Sequence, residues 1–441
     1  MIRPTPLVRS VAVLGLTGLV LTACGGGDSG TPSTEAPETS ASESAPAVGP
    51  ASVGGDCAGK TGDGTLTVGT LLPQTGSLAF LGPPEFAGVD LAIRDINAAG
   101  GVLDKPVAKF DSDSGDTSTD IASQSVDRLL GQNVDAVIGA ASSSVSLTVI
   151  DKVTGACVVQ ISPANTSPTF TGYDDNGLYW RTAPSDVLQG RVLSDVIVAD
   201  GNDTVGILAL QDSYGEGLTK SVTEGITNGG GEVVDTQIYD PKAANFAAEV
   251  TAIKSADPAA IVLIGFDESV KVLDEMIKQG IGPDTKQIYL VDGNISNTAF
   301  LPLPAGAMEG VKGSKPAVAL AADFQAKLLE INPGLTEFSY SAESYDATVL
   351  SALAALAAKD DSGPSIAGQL QEVSAGGTAC TEFAACKELL VAGEDIDYNG
   401  KSGPIEFAEF GDPTEASIGV YTYGADNKYV EADGEFITGK L

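Results

Sequence analysis

The sequence predicts an α/β protein of two lobes, each a parallel sheet flanked by helices. Three observations predict it. Strand-like and helix-like segments alternate along the body, the alternation restarts after Arg181-Thr182-Ala183-Pro184, and long Ala-rich helices follow the second set. Alternation of this kind means parallel strands connected by helices that cover the sheet. Helices that come after the second sheet return the chain to the first lobe.

The elements follow in order. An apolar run at 66–72 reads as the first strand, and 85–98 as a helix with Phe86, Val89, Ile93 and Ile96 on one face. A strand at 107–110, a helix at 119–130, a strand at 135–138, a helix at 144–153 and a strand at 158–161 complete the first set. The second set begins with a helix at 186–199 and a strand at 204–210. It continues as helix 217–228, strand 232–238, helix 246–255, strand 260–264, helix 269–279 and strand 287–291. Beyond Gly310 the clearest helix is 342–359, and 405–423 is rich in aromatic and alternating residues.

The ends of the chain carry other signals. Arg3 and Arg9 precede an apolar run of about a dozen residues, too short for the roughly 20 of a membrane-crossing helix, so residues 1–23 read as a secretory signal. Leu21-Thr22-Ala23-Cys24 resembles the bacterial lipoprotein box, which makes Cys24 the expected lipidated residue and the membrane surface the expected location. Residues 24–56 then form a disordered tether of Gly, Ser, Thr, Pro and Ala with scattered acids. Four other cysteines suit an oxidising compartment, with three possible pairings. Cys57 with Cys157 and Cys380 with Cys386 is the pairing we expect.

The formal net charge of −35 disfavours nucleic acid and anionic lipid as partners. Two nucleotide-binding patterns fail on context. Residues 54–61 spell G-x-x-x-x-G-K-T without a preceding strand or following helix, and Gly25, Gly27 and Gly30 spell G-x-G-x-x-G inside the tether. The chain has no histidine, which removes the commonest general base and the usual catalytic zinc ligands. Neither an enzyme nor a metal or other cofactor is expected. The informative segments are the polar turns at 139–144 and 162–168, at the carboxyl ends of neighbouring parallel strands. Open sheets bind ligands there, and the free N–H groups of a helix start favour an anion.

These residues carry a resemblance. Gln74-Thr75-Gly76-Ser77, Asp95-Ile96-Asn97-Ala98-Ala99-Gly100-Gly101, Val137-Ile138-Gly139 with its serines and Ile161-Ser162-Pro163-Ala164 come first. Arg181-Thr182, Asp212-Ser213-Tyr214-Gly215-Glu216-Gly217 and Tyr345-Asp346-Ala347 follow. In order and spacing the chain resembles the leucine/isoleucine/valine-binding proteins, type I solute-binding proteins of ABC importers, from about Leu66 to Tyr423.

The resemblance implies two Rossmann-like lobes joined by three hinge crossings, near 182–185, 310–314 and 398–403. Lobe 1 would comprise 57–183 plus 312–400, and lobe 2 184–311 plus 401–441. It implies that Ser143, the backbone of Ala164, and Thr166 receive an amino acid's carboxylate and part of its ammonium. Tyr214 would close over the ligand, Phe80 would wall the side-chain pocket, Phe266 would add a further aromatic, and Asp292 would hold the ammonium. The partners implied are an amino acid, most simply a branched-chain one, and an ABC permease, with a monomeric protein between them. A ligand-sensing surface lipoprotein and a binder of an amide or urea-like solute are the alternatives. If Asp292 is the only charge in the pocket, affinity should be nearly flat between about pH 6 and 8.

Overall fold

The computed structural model describes Val53 and residues 55–441. The expected signal peptide, Cys24, most of the expected tether, and Gly25, Gly27, Gly30 and Gly54 lie outside the described residues. Gly55–Cys57 is a single 3-10 turn with no helix between it and the first strand, so the phosphate-loop pattern has no supporting structure.

The first sheet is built from β1 (Thr67–Leu72), α1 (Gly82–Ala98), β2 (Ala108–Asp113), α2 (Ile121–Gly131), β3 (Ala136–Gly139), α3 (Ser143–Gly155), β4 (Val159–Ser162) and β5 (Tyr179–Arg181). Its strands run parallel in the order β2-β1-β3-β4-β5. Every residue of β1, β3 and β4 is buried, as expected of parallel strands covered on both faces. Helix α1 starts before the expected Glu85 because Pro83 and Pro84 suit a helix's first turn, where no N–H is needed.

The second sheet uses α4 (Asp186–Ala199), β6 (Thr204–Leu210), α5 (Ser213–Asn228), β7 (Glu232–Tyr239), α6 (Ala247–Ala256), β8 (Ala260–Ile264), α7 (Ser269–Gln279), β9 (Gln287–Leu290) and β10 (Lys312–Pro316). Helices α8 (Ala322–Ile331) and α9 (Ser341–Ala358) then pack with α1, α10 (Gly363–Val373) packs on α9, and β11 (Thr378–Cys380), α11 (Phe383–Ala392) and β12 (Ile396–Tyr398) follow. Finally β13 (Glu415–Thr422) and β14 (Glu435–Lys440) complete the second sheet, in the order β14-β13-β10-β9-β8-β6-β7. This sheet is mixed, not wholly parallel. Strand β13 runs antiparallel to both of its neighbours, β10 and β14.

Three chain crossings join the two sheets, and two fall elsewhere than expected. The first runs from the end of β5 to the start of α4. The second comes after Pro316, since β10 pairs with β9 and β13; Ala317 packs on the second core and Leu320 on the first. The third comes after Asp412, because Ile405 and Phe407 are buried in the first core while Ile418 belongs with α4. Lys-Gly-Ser-Lys-Pro carries no strand pattern, which hid β10. It is buried nonetheless because the Lys315 ammonium donates to Ser339 Oγ (2.9 Å), Tyr429 OH (3.1 Å) and Glu431 (2.7 Å). Both expected disulfides, Cys57–Cys157 and Cys380–Cys386, are formed.

Candidate ligand-binding cleft

Four turns at the carboxyl ends of strands meet between the sheets. Two belong to the first. After β3, Ser142 caps α3 by accepting the Val145 N–H (3.4 Å), so Ser143 and Ser144 occupy the first two helical positions, whose N–H groups have no partner within the helix. After β4, Ser162 Oγ donates to Ala140 O (2.7 Å) and accepts the N–H groups of Ala164 (3.2 Å) and Asn165 (2.9 Å). The Asn165 amide donates to Ala141 O (2.8 Å), and the Ser167 N–H to Ser143 Oγ (3.3 Å). The two turns are thus one hydrogen-bonded unit that presents Ser143, Ala164 and Thr166 together.

The second sheet supplies the opposing wall. Asp212 caps α5 through the Gly215 N–H (2.7 Å), which sets Tyr214 in the helix's first turn. Asp292 follows β9 and is buried. Its Oδ1 accepts from Tyr214 OH (2.6 Å) and Gln189 Nε2 (2.9 Å), and its Oδ2 from Tyr340 OH (2.7 Å). Burial raises the Asp292 pKa, and the three donors pull it back only in part. Asp186, at the start of α4, is a second buried carboxyl whose oxygens find no hydrogen-bond partner among the described residues. Its pKa is pushed well above the usual range, by burial first and then by Asp292. The nearby Thr166 hydroxyl and the Arg181 charge oppose that shift, while Asp212 adds to it. Asp186 does not line the cavity, but it lies near enough to Asp292 that Asp292 does not titrate as an isolated group.

Leu78, Leu81, Ala141, Ser142, Ser143, Ala164, Thr166, Tyr214, Phe266, Asp292, Gly293 and Tyr340 line the cavity enclosed between these walls. Its volume of about 10 Å³ is that of a single water, so a solute enters only if the lobes part. A wider chamber of about 320 Å³ adjoins it, sharing Ser142 and Phe266, and Asp116, Asp212, Lys242, Asp267 and Glu268 are among its lining residues. Protein-to-protein bonds cross the cleft as well. Ser144 Oγ donates to Asp212 Oδ2 (3.1 Å) and accepts the Ser213 N–H (3.0 Å), while Ser167 Oγ donates to Ser213 O (3.0 Å).

The structure brings Ser143, Ala164, Thr166, Tyr214, Phe266 and Asp292 to one cavity. Phe80 does not line it. Leu78 and Leu81 take that place, while the half-buried Phe80 packs against the second lobe's core. The Phe266 ring stacks on Tyr214 with centroids 5.6 Å apart. Sequence reasoning missed Tyr340, Asp186 and Gln189. Tyr340 sits in a left-handed turn just before α9 (φ 59°), where no periodicity marks it, and an acid opening a helix is ordinary enough to hide Asp186.

Fold and site define a two-lobed protein that encloses a small solute in a cleft. Residues 65–385 match the profile of the periplasmic binding protein family, and the chain belongs to that family of solute-binding proteins. Leu/Ile/Val-binding protein homolog 3 of Brucella melitensis is 26% identical over 53% of this chain and 63% of its own length, so the match spans less than two thirds of that relative. The chemotactic signal transduction substrate-binding protein BasB of Halobacterium salinarum is 25% identical over 77% of this chain and 83% of its own. Among solved structures, the branched-chain amino acid transporter substrate-binding protein LivJ of Streptococcus pneumoniae, in complex with isoleucine, superposes with a TM-score of 0.69. That comparison covers 85% of this chain and all of the other at 23% identity, a likeness of fold.

Proposed function

We propose that the protein captures an amino acid of branched-chain type in the cleft, without turnover, and delivers it to an ABC importer while Cys24 anchors it as a monomeric lipoprotein to the outer face of the membrane. The observation that carries this reading is the polarity of the cavity. One wall offers the start of α3 with Ser143, Ala164 and Thr166, suited to a carboxylate, and the other offers Asp292, suited to an ammonium. The apolar sides, Leu78, Leu81 and Phe266, suit an aliphatic side chain. The acid at 292 favours an amine-bearing solute over a simple amide or an aromatic acid.

Closure follows from contacts on both lobes. A solute seated on the first two turns gains Tyr214, Asp292 and Tyr340 only when the lobes meet, so it favours the closed arrangement by that difference in affinity. The test is thermal unfolding of the body, residues 56–441, freed of carried-over ligand, against a panel of amino acids and small amides. A solute at 100 times its dissociation constant adds about 2.7 kcal/mol to stability. A shift selective for amino acids supports the reading. Folded protein that no amino acid stabilises overturns it. The Halobacterium relative's role in chemotactic signalling favours sensing as a second reading, which a transport assay with the cognate permease separates from import.

A further inference from the structure

Arg181 ends β5 in the first lobe, is wholly buried and lines no part of the cavity. Its guanidinium faces inward on three sides. Nη1 donates to Asn165 O (3.2 Å) and Ser167 O (2.8 Å), the two carbonyls on either side of Thr166. Nη2 donates to Thr171 Oγ1 (3.2 Å), and Nε to Asp412 Oδ1 (2.6 Å). The Phe170 ring lies 5.9 Å from its centre, itself stacked on Tyr179, whose hydroxyl donates to Asn165 Oδ1 (2.8 Å).

Two carbonyls converging on one buried point require a donor between them, and a buried donor that is also a cation requires a counter-charge. A planar guanidinium meets both conditions. A lysine's single point charge does not span the same acceptors. The counter-charge is placed with consequence, because Asp412 lies on the third crossing, where Pro413 bridges Phe407 and the Thr414 N–H donates to Glu406 O (2.8 Å) just before β13 begins in the second sheet.

We infer that Arg181 is a positioning residue for ligand capture. It sets the carbonyls of Asn165 and Ser167 so that Ala164 and Thr166 face the solute, and through Asp412 it ties that turn to the third crossing. The inference rests on the reading of Ala164 and Thr166 as ligand contacts, and its test has a part that needs no ligand.

Four proteins are compared: the wild-type body, Arg181→Lys, the double variant Arg181→Met/Asp412→Asn, which removes both charges together, and Leu370→Ala. The last loses core packing in α10 of the first lobe and controls for stability alone. Hydrogen exchange is followed in peptides covering 162–168, and affinity is measured for whichever panel amino acid the wild type binds. Both Arg181 variants should exchange about tenfold faster in that turn and bind at least tenfold more weakly, while Leu370→Ala stays within about threefold on both despite its lower melting temperature. Exchange unchanged in both Arg181 variants, faster exchange with unchanged affinity, or an equal effect of Leu370→Ala overturns the inference. Should the double variant not fold, Arg181→Lys decides, since it leaves a cation beside Asp412. A wild type that binds no amino acid defeats the reading of the cleft, and the exchange result still decides whether Arg181 holds the turn.

Discussion

At the scale of residues, the cleft is a place where carboxyls are buried and oriented by neutral donors. Asp292 accepts from two tyrosines and a glutamine in this closed form, so a ligand ammonium competes with or joins donors already present. Asp292→Asn should weaken binding of a zwitterionic amino acid by about 2–4 kcal/mol, the scale of a broken buried charge pair, in an isothermal titration. The pH dependence has a definite sign. Burial raises the pKa of both Asp186 and Asp292, so the free site holds protons more firmly than exposed acids do, and an ammonium prefers the ionised form. Raising the pH removes the competing proton, so the dissociation constant should fall as pH rises toward 8, with proton release visible as a buffer-dependent binding enthalpy. A flat dependence together with no proton release would mean that the acid pair is already ionised in the free protein.

At the scale of elements, the helices that frame the cleft depend on close approach. A Cβ on Gly88 would lie 2.2 Å from Ser341 O, so α1 and α9 meet only because that position is glycine. Gly88→Ala should therefore destabilise the body by about 1–3 kcal/mol through overpacking, read as a lower melting temperature, even though alanine is the better helix former. Long buried helices and strands were legible in the sequence. Helices α4 and α7 and strands β6 and β8 fall on their expected residues, because parallel strands under helices carry continuous apolar runs and their helices carry a 3.6-residue stripe. Strands β5 and β10 were not legible. Tyr179–Arg181 is too short for a pattern, and β10 contains two lysines, a glycine and a proline, which only a buried set of hydrogen-bond acceptors makes tolerable.

At the scale of the whole molecule, stability and closure are linked to protonation. Glu343, at the start of α9, has its pKa pushed up to about 8, by burial first and then by Asp346. Glu85 beside it is raised well above its ordinary range by burial and by Glu343, with both oxygens unpartnered. A carboxyl whose folded pKa is raised contributes stability in full below its unfolded value and loses it as pH climbs through the folded one. The ligand-free body should thus be more stable near pH 5 than near pH 8.5, with a slope approaching about 1.4 kcal/mol per pH unit for each group in its titration range. Glu343→Gln should flatten that slope in a series of melts across this range. Small-angle scattering should show the radius of gyration falling when ligand is added, and Ser144→Ala with Ser167→Ala should raise it for the free protein by removing bonds across the cleft.

What the sequence determined by itself was the two-sheet α/β plan and the polar turns after β3 and β4, since each is written in local spacing, composition or motif order, whereas it left three cysteine pairings open and the structure chose the expected one. Tertiary structure alone decided which lobe each late segment joins, that Leu78 and Leu81 and not Phe80 line the cavity, and that Tyr340, Asp186 and Gln189 gather around Asp292. The physical reason is that local pattern reports which side of an element is buried. The partners of a buried carboxyl are chosen by chain segments up to about a hundred residues away, and only packing brings them within hydrogen-bond distance.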